Sequence, residues 1–202
     1  MQWEARFVNT ARRAGATAPG ATLAAVAAEL VARWSEPHRH YHDLAHLASC
    51  LDADGVEGSP AAALAAWGHD AIYDPRSQAN EERSAQLLGS LLTRCGVPGA
   101  TVARAMALVR MTAGHRVSDD PDAAILADAD LAVLARPWPD YLSYVEAVRK
   151  EYAHVPEPLW QAGRSAVLMS LLDLPTLFHR HPERESPART NLTRELRALT
   201  SG

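Results

Sequence analysis

Apolar residues recur three and four positions apart through most of this chain, and no stretch holds the two-residue alternation of a half-buried strand between hairpin turns. That period admits packed helices and argues against a sheet, so the fold class expected is all-α. Helices are predicted over roughly 2–14, 20–34, 38–53, 60–73, 78–95, 99–113, 121–135, 138–153, 157–173 and 187–200. Proline and glycine mark the breaks, among them Pro19-Gly20, Pro37, Gly58 to Pro60, Pro75, Gly96 to Gly99, Pro121 and Pro156. None is long enough to separate domains. The chain therefore reads as one helical domain over 1–202, with N-terminal helices (1–35) and a C-terminal helical arm (about 176–202) packing on the core. Hydrophobic residues make up 48% of the 202 residues but aromatics only 6%, as suits alanine-rich helices that approach closely.

Charge and composition remove several classes of function. A formal charge of −4 without a basic stripe disfavours a nucleic-acid polymer as partner. Neither the opening Met1-Gln2-Trp3-Glu4-Ala5-Arg6 nor any apolar run has the form of a secretory signal or a bilayer span, so a cytoplasmic protein with no membrane partner is expected. Cys50 and Cys95 lie inside apolar stretches without metal-type spacing, and read as small core residues in a reducing compartment.

Three constellations carry chemistry. The first is Pro37-His38-Arg39-His40-Tyr41-His42-Asp43-Leu44-Ala45-His46, where Pro37 suits a helix start. At about 100° per residue, His42 and His46 share a face while His40 points away. Imidazoles so spaced can converge on one cation, or one can bind metal while the other handles a proton. The second is His69-Asp70 in an otherwise apolar segment, a placement that costs hydration unless a cation or strong donors compensate. The third is Asp128-Ala129-Asp130, where two acids interrupt an apolar helix and point to different faces. Periodicity favours Asp130 mildly as the inward ligand. Two imidazoles and two carboxylates suit a divalent metal ion such as Mn, Fe, Co, Ni or Zn, with Mg a less natural fit. Water on such an ion turns acidic enough to act as hydroxide near neutral pH, and the ion polarises a phosphoryl oxygen, so hydrolysis is the reaction expected.

Histidine, then His-Asp, then a distant Asp in a helical chain resembles the HD phosphohydrolase superfamily. The segments His38-Arg39-His40-Tyr41-His42 to His46, His69-Asp70 with Tyr73, Asn80-Glu81 to Ser84, Asp128-Ala129-Asp130-Leu131, Arg149 to Tyr152 and Ala188-Arg189 to Asn191-Leu192 look like a bacterial branch of predicted metal-dependent HD phosphohydrolases. The resemblance implies an HD-type helical bundle whose metal ligands are His46, His69, Asp70 and Asp130. It also implies that His42 protonates the leaving group, since Tyr41-His42 to His46 is similar to the Tyr-His-Asn-x-x-His segment of cyclic-nucleotide phosphodiesterases, with Asp43 here in place of the Asn.

Asp74 occupies the place of a water-orienting acid in guanosine-tetraphosphate hydrolases, although Tyr73 replaces the preceding Glu; Asp128 is the alternative for that task. Asn80 and Glu81 support the site or simply begin a helix. His115 is placed near the substrate, and Arg39 is the first choice for a phosphate contact ahead of Arg116, Arg164 and Arg189. The substrate expected is a small phosphorylated molecule such as a nucleotide, cleaved at a phosphoester or pyrophosphate bond. Two further readings stay open: a di-iron oxygenase on the same scaffold, which needs more histidines than His115 supplies, and a nucleotide-sensing module without turnover.

Overall fold

The long helices are built on apolar stripes. In α1 (Gln2–Arg13) Phe7 and Ala11 are buried, and in α2 (Gly20–Trp34) Leu23, Val26, Ala27, Leu30 and Trp34 repeat at three and four. Asp43 starts α3 (Leu44–Asp52), its Oδ1 accepting the Ala45 and His46 N–H groups. Ser59 caps α4 (Pro60–Gly68), with Pro60 at the first helical position where its missing N–H costs nothing. Every residue of α4 from Ala62 to Gly68 is buried, because α1, α3, α5 (Asn80–Arg94), α6 (Gly99–Met111) and α7 (Pro121–Asp130) pack around it. Gly68 permits the close approach of α5, since a Cβ there would lie 2.6 Å from Leu88 Cδ2.

The computed structural model describes residues 2–200, and among these there is no strand. After α7 a 3₁₀ turn (Leu131–Ala135) leads into α8 (Trp138–Glu151) and α9 (Glu157–Leu172), and a second short turn precedes α10 (Glu185–Thr200). The buried apolar residues fall into two clusters. One runs from Phe7 to Ala129, and the other joins Leu131, Leu134, Tyr141, Leu168, Leu177, Phe178, Ala188 and Leu192. The second cluster encloses a buried ion pair, with Arg164 Nε and Nη2 donating to Glu195 at 2.7 and 3.0 Å, and Tyr141 Oη also donating to Glu195. No helix among the described residues is long and apolar enough to cross a membrane.

Three helix boundaries differ by more than two residues from those expected, and all three border the candidate site. The helix predicted from 38 begins only at Leu44, because the N–H groups of His40, Tyr41 and His42 all donate to Glu151 Oε1 at 2.8, 2.8 and 3.0 Å. The helix predicted through 73 stops at Gly68. Beyond it, the Asp70 and Ala71 carbonyls accept from Arg39 at 2.8 and 3.3 Å, and Ile72 pairs with Ser84 Oγ through both N–H and carbonyl, so these groups leave the helical ladder. The helix predicted over 121–135 changes to 3₁₀ after Asp130.

Candidate metal centre

His69 directly follows α4, and its Nδ1 donates to the Ala66 carbonyl at 2.9 Å. That bond requires the proton on Nδ1, so the neutral ring presents a bare lone pair at Nε2. This Nε2 lies 3.1 Å from His46 Nε2, 3.2 Å from Asp70 Oδ2 and 3.6 Å from Asp130 Oδ1. His46 Nε2 in turn lies 3.1 Å from Asp130 Oδ1 and 3.9 Å from Asp70 Oδ2. Donors held about 2.1 Å from one cation stand about 3 to 4 Å from each other, and these five distances match that spacing. Lone pairs and carboxylates facing one another in a buried site need positive charge between them, from a ring proton or from a metal ion. Burial alone would lower the pKa of His69, but the charges of Asp70 and Asp130 hold it well above its ordinary value. Burial likewise opposes ionisation of Asp70 and Asp130, yet His69 and the neighbouring imidazoles keep both below the usual carboxylate range.

Cys50 joins this group. Its Sγ is 3.7 Å from His46 Nε2, and the donor atoms of His46, Cys50, His69 and Asp130 lie within 4.8 Å of one another, a set that can hold a metal ion. The sequence reading left Cys50 in the core, and its position four residues after His46 is the one signal that could have linked it to the site. Burial pushes its thiol pKa up, and Asp130 and Asp70 push it further, so the sulfur holds its proton.

His42 sits beside the centre with its ring 5.9 Å from that of His46, although it belongs to a loop rather than to α3. Its Nδ1 donates to Glu151 Oε2 at 2.7 Å and its ring stacks on Tyr73 at 4.2 Å, which leaves Nε2 as the nitrogen free to exchange a proton. Burial lowers the pKa of His42, but the bond to Glu151 and the charges of Asp70, Glu151 and Asp130 outweigh it, and the net shift is upward. Glu151, like Cys50, is a residue of the candidate site that the sequence did not single out.

The remaining expected site residues divide. His115 Nε2 is 2.9 Å from Asp130 Oδ2, so it steadies a candidate ligand, and its backbone adopts the left-handed region at φ 49° to reach there. Arg39 is not a phosphate contact. Its guanidinium is buried between Trp34 and Tyr73 and donates to the carbonyls of His42, Asp70 and Ala71 and to Glu36, tying together the two loops that carry the site. Asp128 does not orient a water at the centre, because its carboxylate accepts the N–H groups of His179, Arg180 and His181 at 2.8, 2.8 and 3.1 Å. Asp74 serves the turn after Tyr73, accepting the Arg76 N–H at 2.9 Å, and does not line the cleft. Asn80 spends its amide on the backbone of Asp74 at 3.0 and 3.1 Å; it and Glu81 line the cleft.

The cleft holds about 750 Å³ and lies between the two apolar clusters, with His42, Asp70, His115 and Asp130 in its wall. No family model, no curated protein and no solved structure matches the chain.

Proposed function

We propose that this protein hydrolyses a phosphoester or pyrophosphate bond in a small phosphorylated molecule, with a divalent metal ion held by His46, His69, Asp70 and Asp130. The observation that carries the reading is the convergence of His46 Nε2 and His69 Nε2, 3.1 Å apart, with Asp70 Oδ2 and Asp130 Oδ1, each 3.1 to 3.9 Å from both nitrogens, and with the two carboxylates in the wall of an open cleft. The resemblance to HD phosphohydrolases points the same way. Nitrogen and oxygen donors together favour Mn, Fe, Co, Ni or Zn over Mg, and Cys50 at the edge of the set adds a softer donor. When bound, such an ion supplies a more acidic water and a Lewis acid for a phosphoryl oxygen.

The protein's own groups do the rest. His42, its Nδ1 fixed by Glu151, presents Nε2 toward a leaving oxygen as proton donor, and its raised pKa keeps the ring charged closer to neutral pH. Arg39 holds the His42 and Asp70 carbonyls at 2.9 and 2.8 Å, so the proton donor and a ligand keep one spacing. The test is phosphate release from metal-replete protein over a panel of nucleotides, sugar phosphates and simple phosphate esters, with Asp70→Asn as the blank. His42→Gln is expected to lower kcat about 10²- to 10⁴-fold without loss of metal. Absence of release across the panel, or release that persists in the blank, contradicts the proposal.

A further inference from the structure

The cleft is chemically divided. Asp70 and Asp130 of the candidate metal centre, with His42 and His115, occupy one part of its wall, and another part runs between α8 and α9 over Val148, Val155, Leu159, Trp160, Val167 and Leu171. Leu159, Gly163, Val167 and Leu171 follow one another at four-residue intervals, so a single face of α9 lines this arm. A Cβ on Gly163 would meet nothing within 4 Å, which makes the space above that face open. Leu159 and Val167 are 65% and 50% exposed, large apolar surface continuous with a polar reactive centre.

The charges of the lining point away from a polyphosphate. Its guanidinium groups are Arg76 and Arg164, and Arg164 is buried on Glu195 and Tyr144 Oη. Among the described residues this leaves Arg76 against the carboxylates of Asp70, Glu81 and Asp130. A run of phosphates needs cationic forks in series, and one guanidinium does not provide them. We infer that the substrate is an ester of a single phosphate with an apolar alcohol, aliphatic or aromatic, whose body lies along the α8–α9 arm while its phosphate meets the metal centre. The inference rests on the phosphoesterase reading of that centre.

Calorimetric titration of metal-loaded protein with methyl-, butyl- and octylphosphonate tests it without turnover. Affinity is expected to rise about fourfold for each methylene fully buried. Gly163→Phe, at a helix position where an added Cβ meets nothing within 4 Å, is expected to fill the arm and weaken octylphosphonate about tenfold or more while sparing methylphosphonate. Met169→Glu, exposed and outside the cleft, is expected to change neither. Equal affinities along the series, no binding of any member, or tighter binding of inorganic triphosphate than of octylphosphonate overturns the inference, and phosphate release from the ester panel then still decides the hydrolase reading. A rising series in a protein that releases phosphate from no ester upholds the arm and sinks the hydrolysis.

Discussion

A carboxylate with no exposed surface keeps its charge only where donors replace water. Glu151 has the N–H groups of His40, Tyr41 and His42 on Oε1, and Tyr73 Oη and His42 Nδ1 on Oε2. Burial opposes its ionisation, but His42 and the backbone donors bring its pKa down from 4.5 to about 2. A folded-state value below the unfolded one stabilises the protein fully above about pH 4.5, and that stabilisation drains away as the pH falls toward 2. Glu151→Gln is therefore predicted to lose about 3 kcal/mol at pH 7 and to flatten the fall of the urea midpoint below pH 4.5. A variant whose midpoint follows the wild-type pH profile refutes this. The raised pKa of His42 is the same contact seen from its other end, so the two are not summed. His69, Asp70 and Asp130 stood out in the sequence because each interrupts an apolar run, and His46 because it follows His42 by four residues and matches the first histidine of the HD resemblance. Glu151 closes Arg149-Lys150-Glu151, which reads like any solvated helix end; its burial comes from partners 78 to 111 positions away. Arg39 was legible as a cation but not as one wedged between two aromatic rings.

At the scale of elements, hydrophobic period and proline placement located the ten α-helices among the described residues, while their ends near the site were set by side chains remote in sequence. Pro37 looked like a helix start, but the donors that follow it are taken by Glu151, and Asp43 supplies the actual cap. Asp128 shows the converse: an acid inside an apolar helix that suggested catalysis is spent on holding residues 179–181 to α7. Asp128→Ala leaves those three N–H groups without their acceptor, and a loss of about 3 kcal/mol in urea unfolding is predicted. Metal content of the folded variant is predicted to match wild type. A variant that folds with wild-type stability but loses the metal returns Asp128 to the centre.

Across the whole molecule, the site lies where two apolar clusters meet. One supplies α3, α4 and α7 with their candidate ligands, and the other supplies α8 with Glu151 and the apolar arm beside α9. Periodicity shows which face of a helix is apolar but not which face it meets, so neither the division into two clusters nor the cleft between them could be read from the chain. An ion held by these donors would link its occupancy to the stability of the whole fold, since an ion that binds the folded state at 100 times its Kd adds about 2.7 kcal/mol. The most direct measurement is calorimetric titration of metal-free protein with Mn²⁺ and Zn²⁺, beside His69→Gln and Asp130→Asn. Wild type is predicted to bind either ion with a rise in Tm, and each variant to bind about 100-fold more weakly or worse. Wild-type affinity retained in both variants, or no binding by the wild type, would contradict a metal centre at His46, His69, Asp70 and Asp130.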